Sequence, residues 1–287
     1  MSTNLLRLFP VCAVLALPSL AFAQAENVST LPWAYSTFFG TGWYRIGDDR
    51  NAFSIRYAPR KALREASIND DGTRNIGIEM RIPVTVGLDH FPLDDLTGSV
   101  NPENLANVSV TPSIYFEIPM SERWTLLPFV AAGWGTVLNG EESAWTYWTG
   151  VRSRYAVSVA NVDVAFINSV GFVGYTPNHG SSTNFWPVMT AVEMATPLGS
   201  LRHDDRQLIL HWHGGYTFFQ EDLDVLQRDR TTEPITDQWE FGFAVSKAED
   251  RIKLWRFSFD RLGLSYRFST DGELQGIGFV FESLFDK

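Results

Sequence analysis

Asn75–Asp89 reads NIGIEMRIPVTVGLD, and Asn107–Met120 reads NVSVTPSIYFEIPM. In the first stretch Ile76, Ile78, Met80, Ile82, Val84, Val86 and Leu88 take every second position, with Gly77, Glu79, Arg81, Pro83, Thr85 and Gly87 between them. In the second, Val108, Val110, Pro112, Ile114, Phe116, Ile118 and Met120 alternate with Ser109, Thr111, Ser113, Tyr115, Glu117 and Pro119. Side chains alternate across a strand, so each stretch has one apolar face and one polar, partly charged face. A soluble sandwich buries such an apolar face against a second sheet. An outer-membrane barrel turns it to lipid and keeps the polar face for the lumen. Strands of soluble proteins usually run about 5–6 residues, whereas a tilted membrane-spanning strand needs about 9–11. Both stretches reach the longer figure. They predict an all-β fold, a transmembrane antiparallel up-and-down β-barrel.

The same alternation recurs along residues 33–287 and predicts about twelve strands, as expected of a mid-sized barrel. Phe53, Ile55 and Tyr57 share one face, as do Val151, Tyr155 and Val157, Val188, Val192 and Met194, and Leu210, Trp212, Tyr216 and Phe218. Later come Trp239, Phe241, Phe243 and Val245, then Leu262, Leu264, Tyr266 and Phe268, then Ile277, Phe279, Phe281 and Phe285. Phe257 and Phe259 fall out of phase with the strand that follows, which predicts a bulge near Asp260. Short turns are expected at Ser121–Arg123 and Ala160-Asn161, and long loops over 91–106, 139–146, 175–184 and 220–236. Trp124, Trp145, Tyr147, Trp186, Trp239 and Trp255 lie near strand ends, where aromatic girdles form.

Residues 1–23 read as an exported leader: Arg7 is the positive start, Val11–Leu20 the apolar run, and Ala21-Phe22-Ala23 the cleavage pattern. The run is broken by Pro10 and Pro18 and is too short to span a bilayer. Cleavage leaves a short segment, 24–32, ahead of the barrel domain, 33–287. The single cysteine, Cys12, goes with the leader, so the remaining chain has no thiol chemistry or disulfides. Removal also takes Arg7 and no acid, so the net charge of −10 becomes −11. An acidic chain without a basic cluster is a poor nucleic-acid ligand.

Two segments carry a resemblance. Leu262–Phe285, LGLSYRFSTDGELQGIGFVFESLF, resembles the closing hairpin of Gram-negative outer-membrane barrels, and in particular the autotransporter β-domain. Ile118–Phe129, IPMSERWTLLPF, is similar to the periplasmic hairpins of that class. The resemblance implies localisation in the outer membrane, surrounded by lipid and lipopolysaccharide. It also implies that the barrel-assembly machinery reads Ile277, Phe279, Phe281 and Phe285 as an insertion signal. Ser283 interrupts that series, and Asp286 and Lys287 run past it. Residues 24–32 leave no room for a passenger domain, so the expected type is a solitary barrel with a structural or surface role and no passenger secretion.

The lumen-facing set follows from the alternation: Arg56, Glu79, Arg81, Glu117, Arg152, Arg154, Asp163, Glu193, His211, His213, Glu240, Arg261, Arg267 and Glu282. Charges inside a narrow barrel must be paired or hydrated. They form either a salt-bridge ladder that shuts the lumen or the lining of a small porin-like channel. His211 and His213 with Glu193 or Glu240 could make a metal or proton-linked site, and the plainer reading is hydrogen-bonded filling of a polar lumen. His179 and Ser181 share a loop and suggest a hydrolase only if they form a nucleophile–base pair. Asp89, His90, Asp94 and Asp95 crowd one further loop. No cofactor, metal or enzymatic activity is expected.

Overall fold

The computed structural model describes residues 40–47, 50–89, 105–138, 143–178, 182–226, 232–248, 251–254 and 257–286. Among these every regular element is a strand. The leader, residues 24–32, Trp255, His90, Asp94, Asp95, His179 and Ser181 lie outside them. The first wall strand is β1 (Gly42–Ile46), and the second is β2 (Arg50–Tyr57) continued by β3 (Arg60–Arg64). A small hairpin of β4 (Ser67–Ile68) and β5 (Arg74–Asn75) leads to β6 (Gly77–Arg81) and β7 (Val84–Asp89), the third wall strand. The fourth is β8 (Leu105–Val110) with β9 (Ser113–Pro119).

Three of these strands are interrupted by prolines that sit side by side. Proline has no N–H to give to a ladder. The sheet accommodates this because each proline carbonyl still accepts a bond from the next strand: Ile82 N donates to Pro59 O at 3.0 Å, Thr111 N to Pro83 O at 2.9 Å, and Ala132 N to Pro112 O at 3.1 Å.

From here the wall is nearly regular. It runs through β10 (Trp124–Val137), β11 (Ser143–Val159), β12 (Val162–Pro177), the short β13 (Thr183–Phe185), β14 (Pro187–His203), β15 (Arg206–Leu226) and β16 (Thr232–Lys247). A separate hairpin, β17 (Ile252–Leu254) with β18 (Phe257–Phe259), stands off the wall before β19 (Leu262–Phe268) and β20 (Leu274–Val280). Phe259 is therefore out of phase because it belongs to this hairpin, and no bulge near Asp260 is needed. Neighbours pair antiparallel all the way round, and β20 closes on β1 from Gly42↔Gly278 to Ile46↔Leu274. The result is a closed barrel of twelve wall strands.

The turns match their residues. Asp204 and Asp205 carry φ of 50° and 61°, the left-handed pair that a two-residue hairpin turn requires and that Asp tolerates. The ammonium of Lys247 hydrogen-bonds the Asp204 carboxylate and holds it below its ordinary pKa. Ala160, with φ 55°, makes the equally tight turn between β11 and β12. By contrast, the expected loop at 220–236 is largely strand among its described residues: after an irregularity past Phe218, β15 and β16 pair again from Leu223↔Ile235 to Leu226↔Thr232.

Strands also approach closely where side chains are absent. A Cβ on Gly263 would lie 1.9 Å from the Phe243 carbonyl oxygen and 2.4 Å from the Ala244 Cα. Backbone cannot move aside as a side chain can. Gly263→Ala is expected to cost about 1–3 kcal/mol, the range for overpacking, measurable as a shift of the urea unfolding midpoint in lipid vesicles.

Candidate functional site: the lumen

The wall sorts its side chains as the alternation requires. On β10 the outward residues are Trp124, Leu126, Pro128, Val130, Ala132 and Trp134, and the inward ones include Leu127, Phe129, Ala131 and Gly133. Trp124 and Trp134 stand ten residues apart, about 34 Å along a strand. With the usual barrel tilt this spans close to the ~25 Å apolar band between aromatic girdles. Trp145, Trp186 and Trp239 are also exposed on the outer surface. Tyr147 is half-buried there beside Phe172, ring centroids 5.9 Å apart. Ile277 and Phe279 point outward too. The apolar belt is continuous enough to identify the environment. This is a β-barrel of outer-membrane type.

No protein-family model matches the sequence, and no curated protein matches it. Among solved structures the chain is similar to the transport unit of the autotransporter AIDA-I from Escherichia coli, with TM-score 0.44 and 10% identity over 92% of this chain and 94% of that one. It is also similar to LpxR from Salmonella typhimurium, with TM-score 0.42 and 11% identity over 82% of this chain and 90% of that one. Both are likenesses of fold alone.

Inside, the lumen is filled by two apolar clusters separated by charge. The first, toward the long connections, consists of Tyr44, Ala144, Tyr175, Phe185, Phe219, Ile235 and Leu274. The second, deeper cluster joins Tyr115, Leu127, Phe129, Ile167 and Ala191 to Leu284 and Phe285. Those last two residues correct the sequence reading. The closing strand ends at Val280, and residues 281–286 leave the wall and fold into the barrel. Phe285 is thus 7% exposed inside the lumen and not on the lipid face. Phe281 marks the departure, stacked between Phe259 and Phe279. Two neighbouring apolar side chains, Leu284 and Phe285, cannot both face lipid from one strand; turned inside, both are buried.

The lumen charges hold this tail. Arg81 is 3% exposed, hydrogen-bonds the Asp286 carbonyl, and pairs with Glu79. It also lies 4.0 Å from Glu282 and 3.9 Å from the Asp286 carboxylate. Arg152 donates to the Phe285 carbonyl at 3.0 Å. Glu193 accepts from the Leu284 N–H at 3.3 Å and pairs with Arg261 at 3.0 Å. Arg56 reaches Glu282 at 3.2 Å. Glu282 therefore faces the lumen as expected, but from the tail and not from the wall. Above the tail, Arg267 makes two contacts of 3.1 Å with Glu240 and donates to the Tyr44 hydroxyl at 3.2 Å.

The histidines belong to the same filling. His211 Nε2 and Ser246 Oγ are 2.8 Å apart, and His213 Nε2 lies 3.5 Å from Glu240. No group of three or more metal-ligating side chains occurs among the described residues. Glu117, Arg154 and Asp163 sit toward the end with the tight turns, where Asp163 accepts from the Ser158 hydroxyl at 2.6 Å. Sequence reasoning found the wall charges because strand parity fixes them. It missed the tail because alternation alone does not say where a strand stops.

Proposed function

We propose that this protein is an integral outer-membrane barrel of solitary autotransporter type that keeps its own lumen shut and acts through its outer surface and loops, without passenger secretion. The carrying observation is the terminal segment 281–286, seated on Arg81, Arg152 and Glu193 with Leu284 and Phe285 packed into the lumen cluster. A passenger or a solute stream needs the path that this segment occupies. The small-channel alternative would need a continuous hydrated path, and the paired charges support the closed member of the two readings instead. In this reading the apolar belt faces lipid and lipopolysaccharide, and the assembly machinery engages the strand that carries Ile277 and Phe279. The residues of the hydrolase reading, His179 and Ser181, lie outside the described residues.

Liposomes carrying the folded full chain are expected to show no swelling in small sugars or amino acids beyond empty vesicles. Swelling as fast as that of a general porin would sink the proposal in favour of the channel.

A further inference from the structure

Arg152 differs from the other buried arginines of the lumen. Arg56, Arg81, Arg261 and Arg267 each have a carboxylate within 4.0 Å. Among the described residues Arg152, 3% exposed, has none. Its guanidinium lies over the rings of Phe129 (4.9 Å), Trp148 (5.4 Å) and Tyr115 (5.9 Å), and its hydrogen bond goes to an uncharged carbonyl. The Arg81 and Arg56 guanidiniums oppose its charge, and the Glu282 carboxylate, which is in contact with Arg56 and not with Arg152, offsets them only from a distance. A buried charge without a counterion is costly.

Arg152 also lines a cavity of about 60 Å³ that reaches from the tail's Leu284 to Thr217 and Gln238. Arg56 and Arg267 line it too. The only carboxylate in the lining among the described residues, Glu240, is already committed to Arg267 through both oxygens. The lining therefore has an excess of positive charge. Gln238, buried in the same lining, has a side-chain carbonyl oxygen with no partner among the described residues.

We propose that this cavity binds a small free oxyanion, with inorganic phosphate as its type, and that Arg152 is the principal ligand. The planar guanidinium matches two oxygens of a phosphate at once. Gln238 supplies the complement that selects among oxyanions: its free carbonyl accepts a hydrogen bond from the P–OH group, which sulfate lacks. At about 60 Å³ the cavity has room for a free anion and none for the acyl chains of a lipid.

The test is calorimetric titration of the folded full chain, in phosphate-free detergent buffer, with inorganic phosphate, sulfate and a short-chain phosphatidic acid. Phosphate is expected to saturate one site. Sulfate, phosphatidic acid and the Arg152→Met variant are each expected to bind at least about tenfold more weakly, a difference well resolved by titration. Arg152→Lys, which keeps the charge, falls between. Folding of each variant is checked by heat-modifiable gel mobility, and Gln238→Leu, expected to bring phosphate down to the level of sulfate, serves if Arg152→Met does not fold. Absence of saturable phosphate binding to the wild-type chain would overturn the proposal. So would undiminished binding in folded Arg152→Met, or phosphatidic acid binding more tightly than phosphate.

Discussion

Replacing Arg81 by Met is expected to cost about 3–5 kcal/mol of unfolding free energy, the range for removing one partner from a buried charged network. The side chain is shared between the wall and the tail. It pairs with Glu79 two residues away, approaches Glu282, and bonds both the carbonyl and the carboxylate side of Asp286. Its guanidinium also lies 4.1 Å over the Tyr115 ring. Methionine keeps much of the volume but leaves the Asp286 carbonyl and two carboxylates without their cation. The pair as a whole need not add net stability over an apolar lumen; the loss comes from what is left unpaired. Glu79→Gln is expected to cost less, because Glu79 is partly exposed and Arg81 keeps its other partners. Urea unfolding in vesicles, followed by tryptophan fluorescence, measures both. A loss below about 1 kcal/mol for Arg81→Met would show that the tail is not held by this residue.

The second large effect is on the outside. Val130 lies midway between Trp124 and Trp134 on the outward face of β10 and is half exposed. If that face meets lipid, Val130→Arg places a charge near the bilayer centre and costs about 2–4 kcal/mol. Leu138 immediately follows the end of β10, four residues beyond Trp134, and is also exposed. There the same substitution costs only about 0–1 kcal/mol, because the depth is interfacial. Equal effects at the two positions would contradict the assignment of the belt.

Much of this architecture can be read from residue order, for a definite reason. A wall strand with lipid on one side and lumen on the other obeys a period of two, so Val130 and Phe129, or Trp212 and His211, are sorted by parity alone. The tight turns were equally readable at Ala160-Asn161. What the sequence conceals is where pairing stops. Gln220 and Glu221 look like loop, yet they sit in an irregularity of β15, and its pairing with β16 resumes beyond them at Leu223↔Ile235. Pro83 and Pro112 sit within unbroken alternation, yet each breaks its ladder because the N–H is missing. At the other end, Phe281 and Phe285 fit the alternating series, so parity alone extends the strand past Val280. The adjacent pair Leu284-Phe285 was the local signal against that extension. The partners that draw the tail inward, Arg81, Arg152 and Glu193, lie some ninety to two hundred residues earlier, and only the closed barrel brings them together.

The tail's position is the central claim, and single-channel recording in planar bilayers tests it most directly. The folded full chain is compared with one that ends at Val280, which retains Ile277 and Phe279 on the closing strand. The full chain is expected to insert without conductance steps, while the shortened chain shows openings of reproducible size. Steady open-channel steps from the intact chain, equal to those of the shortened one, would contradict a lumen shut by its own terminal segment.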